Sequence, residues 1–155
     1  MADATTALPA QSQIRWPRVF LLTGRLVLGA VFAYAAFTKL RQPWVLFAIS
    51  INSYQILPEW AAVFLAHTLP WFEMALGLVL LIGVKLRWTA AAAASLLIFF
   101  FAAMLRAYFK NMGIDCGCFG FGERLGPLTI ARDATLLALA IALAATAFFV
   151  RRREA

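Results

Sequence analysis

Polar and charged residues gather in a few short stretches of this chain and leave four long apolar segments between them, at 19–38, 61–83, 88–109 and 128–150. Each is close to the ~20 residues a helix needs to cross ~30 Å of hydrocarbon. Segments of this kind predict helices, because backbone N–H and C=O groups find no partner in lipid and must pair within the segment. Trp16, Trp44, Trp60 and Trp88 stand at or near the segment ends, where indole rings favour the membrane–water boundary. The alanine run Ala90–Ala94 predicts a close approach of the third helix to a neighbour.

The stretch from Pro43 to Leu57 is different. It is apolar but too short to span, it is bracketed by Pro43 and Pro58, and Ser50, Asn52, Ser53 and Tyr54 make it partly polar. It predicts an interfacial or re-entrant helix. The expected fold class is therefore all-α: an integral membrane four-helix bundle with a short interfacial or re-entrant helix between spans 1 and 2. Expected boundaries are a polar N-terminal tail at 1–18, a four-span domain at 19–150 and a basic tail at 151–155. The first segment runs into Lys39-Leu40-Arg41 with no small-residue cleavage pattern, so it is expected to be a retained span and not a cleaved signal peptide.

Composition agrees with the pattern. Of 155 residues, 64% are hydrophobic and 14% charged, and the mean hydropathy is +0.84. Soluble domains carry about a quarter charged residues, so the bilayer is the better solvent for this chain. A net charge of +7 then reads as orientation and headgroup contact, not as nucleic-acid binding. Arg15, Arg18, Lys85, Arg87, Arg151, Arg152 and Arg153 fall on one side of the spans. Lys39, Arg41, Lys110, Arg124 and Arg132 fall on the other. The positive-inside rule puts the first set, with both termini, in the cytoplasm. The expected location is a bacterial inner membrane, with the Pro43–Leu57 helix and the loop after the third span on the outer face.

That loop holds the only two cysteines, in Asp115-Cys116-Gly117-Cys118-Phe119-Gly120. A structural disulfide would close a tiny ring and remove little unfolded-state entropy. Two unrelated free thiols fit poorly in a glycine-flanked loop. A soft ion such as Cu(I) suits two thiolates, whereas zinc normally takes four ligands and His67 is the single histidine. The redox reading takes precedence. Gly117 permits the backbone that brings the flanking side chains together. A bridge across one residue is tight, which favours a labile, oxidising disulfide, and the outer face is where disulfides persist. Asp115 would raise the thiol pKa; Lys110, Arg124 and Arg132 would lower it if they fold nearby.

Five charged residues lie within the apolar segments: Arg25, Glu73, Arg106, Arg132 and Asp133. Charges at such depth usually face the bundle interior and pair. Counting rise along the two helices predicts an Arg25–Glu73 pair, either purely structural or part of a proton or quinone-headgroup site. Arg106 and Arg132 fit equally as interface anchors that snorkel.

Several of these elements recur in a known family. Arg25-x3-Gly29-x2-Phe32 leads to Phe37-Thr38-Lys39-Leu40, then Tyr54-x3-Pro58, then Pro70-x2-Glu73-x3-Gly77-x2-Leu80 with Gly83. Cys116-Gly117-Cys118-Phe119-Gly120 and Arg132-Asp133-x2-Leu136-Leu137 follow. Together they resemble the methylamine-utilisation MauE family within the wider DoxX-like group of four-helix membrane proteins. Ala36 departs from the pattern, standing where such proteins often have glycine.

The resemblance implies a membrane partner in disulfide formation. It points to maturation of a disulfide-rich periplasmic dehydrogenase subunit alongside a thioredoxin-like protein. DoxX-like relatives add quinone-linked sulfur oxidoreductases. The expected function is thus a membrane thiol-disulfide oxidoreductase. Cys116 and Cys118 exchange with a periplasmic thioredoxin-like partner and, in the oxidising direction, pass electrons to a membrane quinone. Lys39, Arg106 and Arg132 are candidates for stabilising thiolate or reduced quinone; Glu73 and Asp133, with Arg25 as the expected pair of Glu73, are candidates for proton handling. No tightly bound cofactor or metal is expected. A soft-metal thiolate carrier and a non-catalytic assembly factor are the alternatives.

Overall fold

The computed structural model describes residues 15–154. The polar tail expected at the N-terminus therefore lies outside the described residues up to position 14, and Ala155 also lies outside them. Five helices and one small hairpin follow in order: α1 (Arg15–Arg41), α2 (Trp44–Ser53), α3 (Glu59–Ile82), α4 (Leu86–Phe109), β1 (Asp115–Gly117), β2 (Gly120–Arg124) and α5 (Pro127–Glu154). The apolar stretches Arg18–Arg41, Glu59–Ile82, Leu86–Phe109 and Pro127–Val150 are each long enough to cross a membrane. Large apolar side chains such as Phe64, Trp71, Ile82, Phe109 and Phe149 point outward. Lipid permits that arrangement, because hydrocarbon tails are as apolar as leucine.

Helix ends follow local chemistry. Pro43 and Pro58 stand immediately before α2 and α3, where a missing N–H costs nothing. Gly83 ends α3 at φ +82°, with its N–H bonded to the Val79 carbonyl at 2.9 Å. This left-handed cap favours glycine.

Two antiparallel helix pairs build the bundle. In the α1–α3 pair, a Cβ on Gly77 would lie 2.7 Å from Ala33 N, and one on Gly29 would lie 2.9 Å from the Gly77 carbonyl oxygen. Only hydrogen fits at either position, and backbone-to-backbone contact replaces side-chain packing. In the α4–α5 pair, Ala90, Ala93 and Ala94 are buried with Ala140 and Leu143, so the alanine run does give a close helix contact. Leu28, Phe32, Leu76 and Leu80 join the two pairs into one core.

Helix α2 is about 15 Å long, half a bilayer core. Its Phe47 and Ala48 pack on Ala66 and Leu69 of α3. It lies at the same end of the bundle as the hairpin, since Tyr54 contacts Cys116.

Two expectations are corrected. The cysteine segment is no open loop: β1 and β2 pair antiparallel, with Asp115 opposite Arg124 and Gly117 opposite Gly120. Arg25 and Glu73 do not pair. Arg25 donates to the Ile82 carbonyl at 3.4 Å, at the C-terminal end of α3, while Glu73 takes Lys39. The Gly29–Gly77 contact sets this register: it places Arg25 level with the end of α3. Lys39, leaning back toward the N-terminus of its own helix, is brought level with Glu73.

Candidate thiol site and adjoining cavity

The hairpin exists because its glycines allow it. Gly117 sits at φ +71°, and a Cβ there would also lie 3.3 Å from the Ser50 Cβ. Glycine thus serves the left-handed turn and lets β1 lie flat on α2. The hairpin closes with Leu125 N–H bonded to the Ile114 carbonyl at 3.0 Å. A reciprocal Gly126–Thr129 contact (2.9 and 2.7 Å) then starts α5.

Cys116 and Cys118 stand as free cysteines, with their sulfurs 2.7 Å apart. Cys116 is buried at 4% exposure, while Cys118 retains partial exposure. The Asp133 Oδ2 oxygen lies 3.2 Å from the Cys118 sulfur and 4.0 Å from that of Cys116. The Met104 thioether packs 3.6 Å from Cys118 and 3.9 Å from Cys116. The two thiols are electrostatically unequal. The close contact with Cys118 lowers the Cys116 thiol below its usual value, against burial and the carboxylates of Asp133 and Glu123. The same contact, joined by burial and Asp133, pushes Cys118 well up. Cys116 is therefore the readier thiolate, and a thiolate is the better leaving group in exchange.

The surrounding groups hold this arrangement. Tyr54 donates its hydroxyl to the Cys116 carbonyl at 2.7 Å. Burial, with Cys116, Cys118 and Asp133 nearby, pushes its phenol up, so it stays a donor. Arg106 donates to the Tyr54 carbonyl at 2.9 Å, a basic group on the C-terminus of α2. Arg132 bonds Asp133 through Nε at 3.0 Å, pairs with Glu123, and lies 4.4 Å over the Phe119 ring.

Of the residues singled out from sequence, Cys116, Cys118, Asp133 and Arg132 meet at the hairpin. Lys39 and Glu73 form a buried ion pair at 2.6 Å that lines a cavity shared with both cysteines. Arg106 reaches the site only through Tyr54, and Arg25 lies toward the far end of α3. Asp133 and Glu123 raise the Cys116 thiol and the contact with Cys118 lowers it; of the basic residues expected to lower the thiols, Arg132 stands at the site, paired with Asp133 and Glu123. His67 stacks on Trp44 at 4.4 Å and bonds the Val63 carbonyl, apart from the thiols. Sequence reasoning assigned no chemistry to Tyr54, Met104 or Glu123. Tyr54 carried a signal as the polar end of an apolar helix before a proline; Met104 carried none.

The fold and site define a multi-pass helical membrane protein with a paired-thiol hairpin at one end of the bundle. A family description, "Methylamine utilisation protein MauE", matches residues 17–146. The chain belongs to the MauE family. It is 34% identical over 124 residues to the "Methylamine utilization protein MauE" of Methylorubrum extorquens, and 33% identical over 124 residues to the protein of that name from Paracoccus denitrificans. Each alignment covers 77% of this chain and 66% of the relative, so the chain spans just under two thirds of the relatives' length. No solved structure matches.

Proposed function

We propose that the protein is a thiol-disulfide exchanger of a bacterial cell membrane, cycling Cys116 and Cys118 between dithiol and disulfide. One observation carries this reading: two cysteine sulfurs 2.7 Å apart, one buried and one partly exposed, with a carboxylate 3.2 Å from the partly exposed one. The distribution of basic residues supports an orientation with both termini cytoplasmic and the hairpin outside. The partner is a thioredoxin-like protein of the outer compartment, and a membrane quinone is the acceptor when the pair acts as oxidant. The names of the relatives suggest methylamine utilisation as the setting, with maturation of exported, disulfide-bearing proteins as the task.

The exchange step balances. A partner thiolate attacks the Cys118 sulfur of the oxidised pair, the intramolecular S–S bond breaks, and Cys116 leaves as thiolate. The partner's second thiolate then attacks the mixed disulfide and Cys118 leaves. The partner is oxidised by two electrons and the pair is reduced by two. When the pair is reoxidised, Asp133 stands within reach of the Cys118 proton.

The asymmetry of burial supplies the test. In cells, Cys116→Ser should hold a thioredoxin-fold protein as a mixed disulfide on Cys118, identified by mass spectrometry after acid quenching. Cys118→Ser should hold far less. The absence of an adduct from either variant would sink the reading.

A second reading rests on Met104. Its thioether adds a third soft donor to the two sulfurs, and the Cys116, Cys118 and Asp133 donor atoms lie within 4.8 Å of one another. Two thiolates and a thioether suit Cu(I). One copper per chain, retained without any disulfide cycling, would favour a metal carrier.

A further inference from the structure

The cavity beside the thiols holds about 100 Å³, of the order of the ~150 Å³ apolar cavity known to take up benzene. Cys116, Cys118 and Asp133 supply part of its wall, and Lys39 and Glu73 another part. The rest is aliphatic or aromatic, including Phe32, Phe47, Leu96 and Phe100. Two further lining residues, Phe99 and Ile56, are 55% and 43% exposed on the outer surface of the bundle. The cavity therefore reaches toward the lipid.

Lys39 is the unusual member. Its ammonium carries three N–H donors. The two Glu73 carboxylate oxygens lie 2.7 and 2.6 Å from Nζ. The Phe47 and Phe100 rings, both part of the cavity wall, lie 5.1 and 5.9 Å away. A buried cation with a donor left over among the described residues, beside an apolar, ring-sized space, suits a flat ligand bearing an oxygen acceptor. The chemistry narrows the class. A dithiol closing to a disulfide releases two electrons and two protons, and an acceptor entering from lipid must take all four. A membrane quinone does so.

We propose that this cavity is a quinone headgroup site. Lys39 holds one quinone oxygen, and Glu73 is the positioning residue that keeps Lys39 in place. The inference rests on the thiol-exchange reading. In the step, two S–H bonds break, one S–S bond forms between Cys116 and Cys118, and two O–H bonds form on the quinone, giving quinol. Asp133, 3.2 Å from Cys118, is the first acceptor of that thiol's proton.

The test uses the full-length protein in detergent, with a short-chain ubiquinone analogue as acceptor, dithiothreitol as dithiol donor, and a photoreactive azido-quinone as label. Wild type should reduce the analogue and be labelled on α1, α2 or α4 peptides that line the cavity. Lys39→Met should raise KM for the analogue at least tenfold, with a smaller change in kcat, and lose the label; Lys39→Arg should recover part of both. Where Lys39→Met does not fold, the double variant Lys39→Met/Glu73→Gln and the cavity-filling Ala35→Leu take its place with the same expected losses. Labelling outside the cavity, or an unchanged KM in these variants, would overturn the proposal. So would wild-type protein that exchanges disulfides with dithiothreitol yet neither reduces nor binds the quinone. Cavity labelling without any thiol exchange would support the quinone site and remove the exchange reading instead.

Discussion

The structure holds two groups of buried or half-buried charge near its thiols, and they are built on opposite lines. Lys39 and Glu73 form a closed pair, 4% exposed each, linking α1 to α3. Arg132, Asp133 and Glu123 form an open network, with Arg132 and Glu123 about a third exposed and Arg132 Nη2 and Glu123 Oε2 lacking partners among the described residues. The closed pair is fixed by helix packing through Gly29 and Gly77 and faces the same cavity as the cysteines. The open network touches Cys118 directly through Asp133 and joins α5 to β2 of the hairpin. Burial makes the first pair costly to break by removing one partner, while partial exposure makes the second cheap to rearrange. The proposed exchange with a partner and the proposed binding of a ligand from lipid would draw on both kinds.

The largest expected effect tests the closed pair. Lys39→Met or Glu73→Gln alone should each cost about 3–5 kcal/mol, because the surviving group is stranded in an apolar surround. The double variant should be milder than either single one. Thermal or denaturant unfolding in detergent checks this; single variants near wild-type stability would erase the contrast with the hairpin network.

A second prediction sharpens the hairpin side through pH. The Cys116 thiol lies below its usual value because of its contact with Cys118, so iodoacetamide should label Cys116 at pH values where an ordinary thiol is protonated. Cys118→Ala removes that contact and leaves burial and the carboxylates of Asp133 and Glu123, all of which raise the thiol. The midpoint of Cys116 labelling should therefore climb past the ordinary value. A midpoint that stays put would show that Cys118 does not set the reactivity of its neighbour.

The remaining effects are smaller. Tyr54→Phe removes one hydrogen bond to the Cys116 carbonyl and should cost about 0.5–1.5 kcal/mol, with faster amide exchange in β1. Arg132→Gln should cost at most about 1 kcal/mol, since its side chain is a third exposed. Hydrogen exchange and unfolding measurements rank the two, and a loss at Arg132 matching that at Glu73 would collapse the distinction between open and closed networks.

Much of the fold was legible because lipid imposes a simple rule on the chain. Twenty-odd apolar residues in a row leave few alternatives to a spanning helix, and the prolines and serines around α2 marked it as too short to span. The alanine run announced the α4–α5 contact for the same steric reason. The partner of Glu73 was not legible. Depth counted from span ends cannot fix the register of two helices, and the Gly29–Gly77 contact that does so is a tertiary fact. The hairpin escaped because three- and five-residue strands rich in glycine show no alternation to read. At the site, the cysteines and Asp133 stood out as chemistry in an apolar chain, whereas Met104 looked like any core residue of a spanning helix. Arg106 was visible as a charge but not as a cap on α2, since its partner is a backbone carbonyl 52 positions away.

The central claim, that Cys116 and Cys118 form a reversible redox pair, is tested most directly by equilibrating the wild-type protein in membranes against graded dithiothreitol redox buffers. The thiol state is read at each step by alkylation and mass spectrometry. The account predicts a single two-electron transition in which both thiols disappear together into an intramolecular disulfide and return together on reduction. Two thiols that remain alkylatable at every potential, or that oxidise only into intermolecular links, would contradict it.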